Sequence, residues 1–129
     1  MPVDSAHLRL MAIAAFLTAP ALALSQTSPR FVDLPPVEQR QIVGVWRLPP
    51  PIPCTRSIER VGAEFYMVAR CKDSPNVDGK RGDVLRKVSE NEYRNASGTT
   101  YRILAGGRLV ARSGAEVIFE ATRQTELWP

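Results

Sequence analysis

A chain of 129 residues makes one domain at most. Its formal charge is +4, from 17 Lys and Arg against 13 Asp and Glu. Aromatic platforms interleaved with a basic stripe are missing, which argues against a nucleic-acid partner. The only histidine, His7, lies in the first 25 residues, so the chain beyond them has no imidazole for general base, metal ligand or pH switch.

The chain opens with a secretory pattern. Arg9 and the amino terminus supply a positive start, and Leu10 to Leu24 is apolar apart from Thr18 and Pro20. Ala21-Leu22-Ala23 and Ala23-Leu24-Ser25 place small residues at cleavage positions. Residues 1–25 therefore read as a signal peptide. The run is shorter than the ~20 apolar residues that span a bilayer, and no later segment reads as a membrane span. The expectation is an exported protein, periplasmic or secreted, without stable membrane insertion. Removing Arg9 and Asp4 leaves the balance at +4.

Residues 26–41 form an N-terminal segment. Gln26 to Asp33 is polar and reads as loose. Pro36 suits a first helical position, and Val37 to Gln41 then makes a short helix with Glu38 at its positive end. Residues 42–129 read as the folded domain.

Its first strand is Ile42 to Leu48, with Ile42, Gly44, Trp46 and Leu48 on one face by period two. Gly44 lets a ring or backbone approach closely. Pro49-Pro50-Pro51-Ile52-Pro53 then supplies few ladder donors and reads as a stiff connector, ahead of the alternative of a proline-rich ligand for an aromatic groove. Ser57 to Val61 and Glu64 to Cys71 follow, split by Gly62-Ala63. In the second run Phe65, Met67, Ala69 and Cys71 alternate with Tyr66, Val68 and Arg70, the mark of a half-buried antiparallel strand.

The two cysteines, Cys54 and Cys71, predict one structural disulfide in an exported chain. Their spacing does not fit a C-x-x-C redox pair, and two thiols alone do not make a metal site. No cofactor and no metal is expected.

Asp73 to Asp83 is the longest break. Ser74, Asn76, Asp78 and Gly79 suggest a calcium loop, but Leu85 stands where a bidentate glutamate is required, so turn chemistry is the better reading. Arg81-Gly82-Asp83 matches an adhesion tripeptide and also reads as turn. Val84 to Ser89 and Asn91 to Ala96 form a hairpin with an ambiguous buried face and Tyr93 inward. Asn95-Ala96-Ser97 fits a glycosylation acceptor and, with Gly98, equally a turn. Thr99 to Leu104, Arg108 to Arg112 and Glu116 to Leu127 complete the set, cut by Gly106-Gly107 and Ser113-Gly114.

Eight short runs with short breaks argue an all-β, antiparallel up-and-down meander, closed or nearly closed into a barrel, behind a short N-terminal helix. Gly44-Val45-Trp46 opening the first strand, with a turn of helix before it and the meander after it, resembles the lipocalin and avidin group of small β-barrels. That resemblance implies a small apolar ligand in the barrel mouth. Small periplasmic lysozyme inhibitors are also similar in size, disulfide and barrel class.

No nucleophile elbow, S-x-x-K or phosphate loop is present, so the expectation is a non-enzymatic binding module for a small apolar ligand or an envelope protein. Trp46, Phe65, Met67 and Tyr101 read first as core and second as ligand contacts. The alternatives are an inhibitor of a secreted or envelope enzyme, and a hydrolase drawing carboxylates from Glu64, Glu116 and Glu120.

Overall fold

The computed structural model describes residues 30–127. The expected signal peptide lies outside them. Nine strands are present: β1 (Phe31–Asp33), β2 (Gln41–Arg47), β3 (Cys54–Val61), β4 (Glu64–Cys71), β5 (Arg81–Ser89), β6 (Glu92–Asn95), β7 (Thr99–Ile103), β8 (Leu109–Ser113) and β9 (Glu116–Gln124). Every pairing is antiparallel. β2 to β9 run in sequence order, β2 closes on β9, and β5 pairs with β6, so eight strands make a closed barrel with β1 added beside β5. Closure leaves the eight strands without a bare edge.

Two N-terminal expectations need correction. The segment read as loose contains β1, whose Val32 sits opposite Gly82 in register. No α-helix occurs among the described residues. A single 3-10 turn over Val37–Gln39 stands where the short helix was expected, and Arg40 is already extended. The apolar pattern is too short to propagate a helix, and β2 begins one residue later.

The interior is filled from one end. Trp46, Leu48, Ile58, Met67, Leu85, Tyr93, Tyr101, Leu109, Ala111 and Ala121 form the core, and Val43, Phe65, Ile103 and Phe119 pack against it. Trp46 is wholly buried. Its Nε1–H donates to Gly107 O at 2.6 Å, and the Arg123 guanidinium covers the ring at 5.3 Å. The ring therefore plugs the end of the barrel that carries the 104–108 connection.

A bulge between Ile42 and Gly44 corrects the face expected for β2. It turns Ile42 outward and lets Val43 pack on the core, which period two could not foresee. In β5 the ambiguity resolves inward for Leu85 and outward for Val88.

Gly44 is required by the ring. A Cβ built there would lie 2.5 Å from a Trp46 ring carbon. Gly44→Ala must displace that ring or the β2 backbone, an overpacking expected to cost about 1–3 kcal/mol. Urea unfolding would read it, and a loss below ~0.5 kcal/mol would show that the ring moves freely.

Candidate functional site

The end opposite Trp46 carries the connections 48–53, 72–80, 96–98 and 114–115, by the alternation of strand directions. It is bounded by the disulfide. Cys54 and Cys71 face each other in the β3–β4 register and are bonded. Cys54 O accepts from Leu48 N, and Pro53 O accepts from Lys72 N. The proline connector is thus tied to the rim on both sides, as its sequence suggested.

The 72–80 connection is organised by one side chain. Asn76 donates through Nδ2 to Ala69 O and Arg81 O, and its Oδ1 accepts from Arg81 N. That spends Asn76 on backbone groups. The residues Arg81-Gly82-Asp83 are not the turn that was expected: they open β5. Gly82 lies against the Leu34 and Tyr66 side chains, where a Cβ would meet both at 2.9 Å. Asp83 is buried, so the tripeptide cannot be presented to a receptor in this fold.

A cleft of about 750 Å³ opens at this rim, lined among others by Arg30, Arg56, Met67, Ala69, Asp83 and Tyr101. Strand alternation puts them there: Arg56, Met67 and Ala69 share the inward face of β3 and β4, and Arg56 sits opposite Ala69 in register. Asp83 accepts from Arg30 through both oxygens, at 2.9 and 3.0 Å, and from Asn95 Nδ2 at 3.0 Å. Asn95 Oδ1 in turn accepts from Ser97 N and Thr99 N. This use of a buried Asn95 closes the β6–β7 turn and leaves the sequon without an accessible amide.

Tyr101 stands among these groups. Burial pushes its phenol pKa up, and the Asp83 charge adds to that. Arg56, Arg30 and Asn95 oppose it. Arg56 is different from Arg30. No carboxylate lies within ion-pair distance of it among the described residues. Among the described residues its hydrogen bond is from Nη1 to Thr55 O at 3.2 Å, and its guanidinium lies over the Phe119 ring at 5.5 Å. Burial pushes its pKa down, with Tyr101 partly offsetting the effect. Arginine nonetheless stays charged in proteins.

A second polar cluster lies outside the barrel wall. Thr55, Ser57 and Glu59 face outward from β3, yet all three are wholly buried. Glu59 accepts from Arg40 Nη1 at 2.8 Å, from Arg70 Nη1 at 2.7 Å and from the Ser57 hydroxyl. Arg40 also donates to Pro35 O at 2.8 Å, which fastens the 3-10 segment over this face. Gly79, at φ +68°, presses against the Arg70 guanidinium from the other side.

The structure separates the residues singled out from the sequence. Met67 and Tyr101 line the cleft. Trp46 is spent on the closed end. Phe65 packs on Tyr93 at 5.3 Å and borders a different groove with Leu85 and Asn95. Glu64, Glu116 and Glu120 are not brought together as a pair across one site: Glu64 is exposed on β4, while Glu116 and Glu120 are exposed on β9, beyond β2 and β3 in the barrel order. Glu120 is paired with Arg108. Sequence reasoning missed Arg56, Asp83 and Asn95. The available signal was the inward alternation Cys54, Arg56, Ile58 once β3 is started at Cys54 instead of Ser57.

Compared with family models, curated proteins and solved structures, the chain matches none. What stands on the structure is the class: a small closed eight-strand antiparallel β-barrel with one added strand and one disulfide. No helix among the described residues is long and apolar enough to cross a membrane.

Proposed function

We propose that this protein is a non-enzymatic binding module that takes a small molecule at the open rim of the barrel. The observation that carries the reading is the cleft of about 750 Å³ at the rim, lined by Arg56, Met67, Ala69 and Tyr101 among others. It falls within the ~300–1,000 Å³ usual for small-ligand sites, with Met67, Ala69 and Tyr101 set among charged groups. Met67, Ala69 and Tyr101 supply the apolar wall. The resemblance through Gly44-Val45-Trp46 points the same way, as does export after cleavage near residue 25, where a disulfide-bonded scavenger or carrier would work.

Met67 makes a direct test possible, because no other methionine follows position 11. Its labelled methyl group should shift saturably when 4-phenylbutanol is titrated into the protein. Ala69→Leu, which fills the cleft, should weaken that binding about tenfold or more while the fold remains intact. A methyl signal that stays still at millimolar probe, with a natively dispersed spectrum, would rule out a small-molecule site at this rim.

A further inference from the structure

We infer that the ligand of this cleft carries a carboxylate on an apolar body, and that Arg56 receives the carboxylate while Met67, Ala69 and Tyr101 hold the body. The inference rests on the binding reading above and names the chemistry of its ligand.

Four cations and two carboxylates line the cleft: Arg30, Arg56, Lys80 and Arg81 against Asp33 and Asp83. The two acids are already engaged. Asp83 is held bidentately by Arg30, and Asp33 lies 3.5 Å from Arg81 at the solvent edge. Lys80 is at the rim. Arg56 is the inward one, half-buried on β3 between the Phe119 ring and the cleft.

A half-buried guanidinium whose free donors face a cleft is placed to receive an anionic acceptor there. Elsewhere in this protein the almost wholly buried guanidiniums meet a carboxylate: Arg40 and Arg70 share Glu59, with Arg70 Nη2 left unpartnered. Arg56 has one backbone carbonyl and an aromatic face. Its fork geometry suits a planar two-oxygen acceptor, which a carboxylate presents and an alcohol or amine does not. Tyr101 adds a hydroxyl beside the same point. Asp83, its charge paired with Arg30, does not repel the incoming charge strongly, but it disfavours a ligand with two negative charges. A single carboxylate on an apolar chain or ring is the class that satisfies both ends of the cleft.

The test compares 4-phenylbutyrate, 4-phenylbutanol and 4-phenylbutylamine on the full chain as the cell processes it, read at the Met67 methyl and by calorimetry. A charge-assisted hydrogen bond is worth ~1.5–3 kcal/mol, so the acid should bind about 10–100-fold more tightly than the alcohol, and the amine more weakly than either. In Arg56→Met the acid should lose its advantage, so that acid and alcohol bind alike. A natively dispersed spectrum of the variant is the control for folding. Arg56→Lys should retain part of the preference, and if the Met variant fails to fold, the Lys variant and the wild-type series decide.

Equal binding of all three probes to the wild type would overturn the carboxylate inference while leaving the binding site standing. A preference that persists in Arg56→Met would overturn the role of Arg56. Failure of all three to move Met67 would remove the binding reading itself.

Discussion

Glu59→Gln should destabilise the protein by about 3–5 kcal/mol, the range for breaking a buried ion pair by removing one partner. Glu59 is the only acid meeting Arg40 and Arg70 among the described residues, and the three side chains are almost wholly buried. Without its charge two guanidiniums remain near each other under the 3-10 segment, and Arg70 Nη2 already lacks a hydrogen-bond partner. The result should be read in urea unfolding at neutral pH. A loss below ~1 kcal/mol would mean that water reaches the cluster once the charge is gone. The converse substitution is informative too. Replacing Glu59, Arg40 and Arg70 together by apolar residues of similar size should cost far less than Glu59→Gln alone, because no uncompensated charge is left behind.

The same cluster sets an acid limit. Burial pushes the Glu59 carboxyl up, but hydrogen bonds from Arg70, Ser57 and Arg40 outweigh it and hold the group below its ordinary value of 4.5. A depressed carboxyl contributes its full stability above the unfolded value and loses it as pH falls through the folded one. Stability should therefore decline as pH drops below about 4.5. The Glu59→Gln variant, weaker at neutral pH, should show a shallower decline over that window.

The meander was legible because most strand breaks are glycine turns. Gly62, Gly98, Gly106, Gly107 and Gly114 all adopt positive φ, and neighbours in sequence became neighbours in the barrel from β2 to β9. The disulfide followed from two cysteines in a chain that reads as exported. Three things were not legible, each for a physical reason. β1 is three residues of ordinary composition and exists only because β5 offers it a partner. The β2 bulge breaks period two without leaving a sequence mark. Glu59, Arg70 and Arg40 look like solvated charges along alternating strands, and only the N-terminal segment folding back over β3 and β4 buries them. Arg56 was hidden by the same assumption, that a charge on a strand faces water. The barrel could be read from local pattern; the two sites depend on what crosses over or into it.

Reduction of Cys54–Cys71 should lower stability by roughly 3 kcal/mol, the chain-entropy value for a loop of this size. For a domain near 100 residues, each kcal/mol shifts Tm by about 4–8 °C, so the reduced protein should melt on the order of 10–20 °C lower. Cys54→Ser, Cys71→Ser and the double variant should fall by similar amounts, since one bond is lost in each. The effect should also be local. The bonded pair ends the β3–β4 ladder at the open rim, and Cys71 lines the cleft. Hydrogen exchange should therefore rise most at Leu48 and Lys72, whose amides bond to Cys54 O and Pro53 O, while the Trp46 end stays protected. Affinity for the proposed ligand should weaken with it, because Ala69 and Arg56 sit beside the freed strand ends. A reduced protein that loses stability but keeps both rim protection and ligand affinity would show that the bridge acts only on the unfolded chain. Two titratable thiols in the unreduced folded protein would overturn the bridge itself.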